Sequence, residues 1–199
     1  MTTYAIPTTV GFSSVEFGLQ NNNQVFESPL SKDIQVLELT GARWYGTFNL
    51  PPMSKAQALE YIGFLQRLQG RVHSFFGYDA NHRSPSGTMS GSTLVVKGAS
   101  QTGTSINLDG GANSTLILKA GDFFSVGGEL KMVTANATSD GSGNLTVNFV
   151  PSLRSSPAND SAVTTTNPVC SMKLLGDSTS YSINNSNLYG ISFSGLEAF

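Results

Sequence analysis

Residues Gly41–Asp79 read GARWYGTFNLPPMSKAQALEYIGFLQRLQGRVHSFFGYD. This stretch decides the fold because its hydrophobic period changes twice. Over Arg43–Leu50 the apolar positions alternate: Trp44, Gly46, Phe48 and Leu50 fall on one face, and Arg43, Tyr45, Thr47 and Asn49 on the other. A period of two is that of a half-buried strand. Pro51-Pro52 ends it. Ser54 then offers an N-cap, with Gln57 three residues on as the other half of a capping box. Ala58, Tyr61, Ile62, Leu65 and Leu68 follow helical spacing, and Gly70 is placed to stop the helix. The spacing predicts a helix over 54–69. Val72–Tyr78, with Phe75 and Phe76, resumes as a strand.

Working outward, Val15, Phe17 and Leu19 alternate with polar neighbours and predict a strand over Val15–Gln20. The Asn21-Asn22-Asn23 cluster reads as a turn, Gln24–Glu27 as the returning strand, and Ile34–Leu39 as a further apolar strand broken by Gly41. Towards the C-terminus the composition shifts near residue 80. Asp79–Gly87 reads as a loop or linker. Beyond it the chain is rich in Gly, Ser and Thr and shows no helical period. Short strands are expected at Thr93–Lys97, Ser105–Leu108 and Thr115–Lys119. The clearest hairpin is Asp122–Val126 and Glu129–Val133 around Gly127-Gly128, a pair suited to a two-residue turn with positive φ. Asn144–Val150 adds a strand, and Ser152–Asn167 reads as a polar tail. Val169–Leu175, Ser180–Ile183 and Leu188–Phe193 supply the last strands. The organisation expected is a domain of residues 1–88 rejoined by 168–199, carrying an inserted β module at 89–167. Insertion at an exposed loop adds little closure entropy.

The whole chain has 199 residues, one cysteine, 12% charged residues and a net charge of −2. The length suffices to bury a core without disulfides or metals. No Lys/Arg cluster supplies a nucleic-acid face or a membrane-surface anchor. No run approaches the length of a membrane span, and the first residues lack a signal-peptide pattern. A single Cys170 in an apolar strand excludes an internal disulfide, reads as a buried inert thiol, and points to assembly in a reducing cytoplasm. The N-x-S/T triplets at Asn113, Asn136, Asn144, Asn159 and Asn184 then follow from composition.

The search for chemistry is negative. His73 and His82 match neither HExxH nor finger spacing. Asp109 and Asp140 each precede a glycine and read as turn residues, and Asp122 opens a strand. Nothing places two carboxylates across a cleft as a glycosidase requires, and the glycine-rich segments are not phosphate loops. The aromatic group Trp44, Tyr45, Phe48, Phe75, Phe76 and Tyr78 could form a sugar platform, but packing the helix onto the sheet explains it better.

Three stretches resemble structural proteins of tailed-bacteriophage tails. They are Gly41–Asp79, Val96–Leu108 (VKGASQTGTSINL) and Leu118–Pro157 (LKAGDFFSVGGELKMVTANATSDGSGNLTVNFVPSLRSSP). The match is one of arrangement, covers about half the chain, and is nearer to distal tail and tail-tip adaptor proteins than to fibres. What the resemblance implies is a mainly β protein: a β-sandwich or split-barrel belt domain with one α-helix, plus a small, barrel-like, all-β inserted module. It implies a ring, hexameric in form, that joins the tail tube to hub or receptor-binding parts and lets DNA pass without specific binding. The expected location is the virion tail, assembled in the host bacterial cytoplasm, with no catalytic residue, cofactor, metal or membrane partner. Belt strand edges and the loop residues Asp79, His82 and Arg83 are the expected contact sites. Two other readings stand beside it. One is a different virion position, as head–tail connector, tail terminator or capsid decoration protein. The other is a carbohydrate-binding module or glycan hydrolase using the aromatics.

Overall fold

The computed structural model describes residues 2–199. The chain is mainly β, with one helix among those residues and a sheet curled into a half-barrel. The strands are β1 (Thr3–Tyr4), β2 (Ser14–Glu27), β3 (Ile34–Asn49), β4 (Ser74–Gly77), β5 (Val95–Val96), β6 (Gly103–Asp109), β7 (Leu116–Leu118), β8 (Phe123–Val126), β9 (Glu129–Val133), β10 (Ala137–Thr138), β11 (Leu145–Leu153), β12 (Cys170–Leu174), β13 (Tyr181–Ile183) and β14 (Tyr189–Glu197). The helix α1 is Lys55–Arg67.

The main sheet runs β1-β4-β12-β14-β3-β2, with β13 paired on β14. Residues 89–167 instead form a five-stranded sheet, β5-β6-β11-β9-β8, and a two-stranded sheet of β7 and β10. Each region has its own buried cluster. The first gathers Trp44, Phe48, Tyr61, Phe64, Leu65, Phe75, Met172 and Phe193 between α1 and the main sheet. The second gathers Val96, Ile106, Leu108, Ile117, Phe124, Val147 and Phe149. Phe123 and Leu130, at the rim of the β8–β9 hairpin, belong to the first cluster, so the hairpin bridges the two.

The alternation in β3 is seen directly: Trp44, Gly46, Phe48 and Leu50 are buried, and the residues between them are only partly covered. Helix α1 starts as expected. The Ser54 backbone N–H and hydroxyl both donate to Gln57 Oε1, at 3.1 and 2.9 Å. It ends slightly early, where Gln69 and Gly70 turn to φ 49° and 64°. Its buried face adds Phe64, which the stripe had omitted, while Ile62 is only partly buried. Leu65 is 4% exposed. Leu65→Ala is therefore expected to lower unfolding free energy by about 2–5 kcal/mol, through lost transfer energy and a residual cavity. Urea denaturation checks this. Gly127 and Gly128, at φ 60° and 82°, form the predicted positive-φ turn.

Two expectations are corrected. Asn21-Asn22-Asn23 is no turn, and Gly41 breaks no strand: β2 and β3 are continuous antiparallel partners, and the connection lies at Ser28–Asp33. The ladder shifts register between Gln20 and Asn22. Opposite that shift Gly41 takes φ 108°, and Asn22 Nδ2 donates to the Thr40 carbonyl at 2.8 Å. Two local breaking signals on facing strands are thus the two sides of one β-bulge, which bends and twists the ribbon without ending it. The second correction concerns Ser152–Asn167. This segment is woven into the five-stranded region through the bridges Val95–Ala162 and Ser125–Thr164, and Val163 and Thr165 are buried.

Candidate interaction surface

Beyond the bulge, β2 and β3 leave the body as a two-stranded arm over residues 22–40. Its registers are Asn22–Leu39, Asn23–Glu38, Gln24–Leu37, Val25–Val36, Phe26–Gln35 and Glu27–Ile34. Directly paired residues share a face. One face therefore carries Val25, Val36 and Ile34 with Glu27, Glu38 and Asn23. The other carries Phe26, Leu37 and Leu39 with Gln24, Gln35 and Asn22. All six apolar side chains are exposed, Ile34 by 63% and Val25 by 60%, and Leu30 at the tip by 96%. None belongs to either buried cluster. An isolated two-stranded hairpin is marginal in water, and contiguous exposed apolar surface marks an interaction site. Their sequence marks these strands as apolar but gives no sign that they lie outside the core, because period and propensity do not report which face finds a partner.

The loop residues sit elsewhere, where the chain passes between the two clusters. His82 Nδ1 lies 2.9 Å from Asp79 Oδ2, and the His82 ring is tilted over Phe123. Asp79 Oδ1 accepts the Asn81 backbone N–H. Arg83 stacks on Tyr78 at 3.9 Å and its Nε donates to Asn167 Oδ1 at 2.9 Å, while Asn167 N–H donates to the Arg83 carbonyl. The structure thus brings Asp79 and His82 together and sets Arg83 beside them as a tie between the outgoing and returning chain.

A buried charge network that the sequence reading did not single out lies at the same junction. Arg154 forms a two-pronged pair with Glu197, Nη1 to Oε1 at 2.9 Å and Nη2 to Oε2 at 2.6 Å, and Nη2 also donates to the Ala42 carbonyl. Glu197 Oε2 accepts the Trp44 backbone N–H. Nearby, Lys131 Nζ donates to Glu129 Oε2 at 2.7 Å and to the Ser152 carbonyl. Burial pushes the Glu129 carboxyl up. Hydrogen bonds from Lys131 and from the Arg154 and Ser155 backbone, with the Lys131 charge, outweigh this and hold it below its ordinary value. Burial pulls the Lys131 ammonium down by more than Glu129 restores. A depressed carboxylate stabilises the fold above its unfolded value, and this is lost as pH falls through the folded value. Glu129→Gln is accordingly expected to flatten the acid limb of stability, read as melting temperature against pH below the ordinary carboxylate range.

Cys170 is buried and its thiol is pushed well up by burial, with the Glu197 charge adding to the shift. Such a thiol is a poor nucleophile. Asp122 is buried as a structural acceptor for the Ser86 and Lys119 backbone N–H groups. Asp140 caps its turn, accepting from Asn144 and Ser142, and these bonds lower its pKa. Trp44, Phe48 and Phe75 face inward, as the packing reading has it, whereas Phe76 is 39% exposed and Tyr45 lies on the other face of the sheet. A shallow cleft of about 690 Å³ on the module is lined by Lys97, Asn107, Asn136, Asp140 and Asn144, with no aromatic side chain. Among the described residues no group of three or more His, Cys, Asp or Glu is placed to hold a metal ion, and no helix is long and apolar enough to cross a membrane. Compared with known protein families the chain matches none, and no curated protein matches it significantly.

Proposed function

We propose that this chain is a structural assembly protein: a ring-forming distal tail or tail-tip adaptor of a tailed-bacteriophage virion, joining the tail tube to hub or receptor-binding parts around the DNA channel. The observation that carries the assembly reading is the arm, which presents apolar side chains on both faces and contributes to neither buried cluster. Burying the three apolar side chains of one face on a partner would supply roughly 3–5 kcal/mol before the costs of association. The virion placement rests on the resemblance of Gly41–Asp79, Val96–Leu108 and Leu118–Pro157 to phage tail proteins.

The half-exposed His82 ring keeps the Asp79, His82 and Arg83 loop in the proposal as a second contact with neighbours.

Native mass spectrometry and negative-stain electron microscopy of the full chain test the reading. Closed rings are expected. A chain that stays monomeric at every accessible concentration overturns it. Replacing residues 23–38 by a two-residue turn is expected to abolish the rings while leaving the melting temperature nearly unchanged.

A further inference from the structure

The arm's two faces differ in charge, and that difference identifies what covers one of them. Val25, Ile34 and Val36 are flanked on their own face by Glu27 and Glu38, with Asp33 in the connection. The arm's one base, Lys32, is paired to Glu27 at 3.2 Å. The arm is therefore an apolar strip with an acidic border.

A matching surface lies towards the opposite edge of the main sheet. Val72, just before β4, is 56% exposed, and Leu175, just after β12, is 51% exposed. They sit at one end because the Arg71 guanidinium donates to the Leu175 carbonyl. Arg71 also lies 3.8 Å from Asp177. Lys173 is two residues before Leu175, and Arg67 stacks on Tyr4 at the same end of α1. Here the border is basic: Arg71 and Lys173 stand against the single acid Asp177, with Arg67 on the α1 side of the same end.

We infer that the Val25, Ile34 and Val36 face of the arm seats on the Val72 and Leu175 surface of a second copy of this chain, with Glu27 and Glu38 meeting Arg71 and Lys173. The inference rests on the assembly reading above and names its contact. Arm-on-arm pairing would set Glu27 and Glu38 against their own copies, and like charges held opposite one another are repulsive. A further exposed apolar group, Tyr181, Ile183 and Leu188, lies in a segment without charged residues from Ser178 to Leu196 and offers no complement to an acidic border. Donor and acceptor surfaces occupy opposite sides of one sheet, because β2 is its edge at one side while β12 and β4 lie at the other. One copy thus presents both halves at once. The contact is head-to-tail, the type that closes a ring when the rotation between copies allows.

Charge reversal tests the pairing in the full chain, with sedimentation velocity reading association. Glu27→Lys with Glu38→Lys on the arm is expected to weaken association by about tenfold or more, and Arg71→Glu with Lys173→Glu on the acceptor equally. All four together are expected to restore it. Circular dichroism checks folding, and Val72→Asp replaces the acceptor pair if Arg71→Glu unfolds. Reversals that leave assembly unchanged, or a quadruple variant that fails to recover it, overturn this contact while the assembly reading stands. A wild-type monomer overturns both.

Discussion

Arg154→Met is expected to lower the free energy of unfolding by about 3–5 kcal/mol, the cost of leaving a buried carboxylate without its counter-ion. Glu197 is 3% exposed. It holds both guanidinium prongs of Arg154 and also accepts the Trp44 backbone N–H. With Arg154 gone, the negative charge stays in the interior facing methionine, and the Ala42 carbonyl loses its donor as well. The loss exceeds that of a surface pair, which is worth about 0–1 kcal/mol, because the Glu197 side chain is only 3% exposed and, among the described residues, has no other cation at hydrogen-bond distance. Removing the charge on both sides, as Arg154→Met with Glu197→Gln, is expected to recover part of the stability, since an uncharged amide still accepts from the Trp44 N–H. Urea denaturation of the single and double variants reads the difference. A single variant within 1 kcal/mol of wild type would show that the pair is wetter and weaker than its geometry.

Trp44→Ala is expected to cost about 3–5 kcal/mol. The indole is 2% exposed, stacks on Phe17 at 5.4 Å, and meets Phe123 edge-on at 5.4 Å. Its Nε1–H donates to the Leu130 carbonyl at 2.8 Å. Alanine therefore opens a cavity and orphans a buried acceptor together. Trp44→Phe separates the terms: it keeps most of the ring and loses only the donor, so a cost of about 1–3 kcal/mol is expected. Because Phe123 and Leu130 belong to the β8–β9 hairpin, Trp44→Ala is also expected to raise amide exchange in that hairpin, measured by mass spectrometry. Equal cost for the two variants would put the whole contribution in the hydrogen bond.

What could be read from the sequence was local. The alternation of β3, the capping box of α1 and the Gly127-Gly128 turn are each written within a few residues, and each forms as read. The arm was legible only as strands. Asn22 and Gly41 each carry a breaking signal, and only their pairing across the ladder turns two breaks into one bulge. Whether Val25 or Ile34 is covered depends on what stands opposite its face, which no window of sequence contains. The charge network was illegible for a related reason. Lys131 in β9, Arg154 just past β11 and Glu197 in β14 look like ordinary surface charges locally, and their burial comes from these segments meeting. The Asp79–Gly87 loop, marked by composition alone, is ordered by partners at Phe123 and Asn167, both distant in sequence.

The place of β14 in the main sheet has a consequence for how the chain is made. This strand, the last in the sequence, lies between β12 and β3, so Asn49 waits for Ser192 and Phe48 for Phe193 before the sheet can close. On a ribosome, residues 89–167 emerge before β14, while β2, β3 and α1 stay unclosed until β14 has followed them out. Throughout that interval the nascent chain shows both the bare arm and the open inner face of β3. A chaperone that shields β3 over that interval is then what separates productive folding from sticking between neighbouring nascent chains.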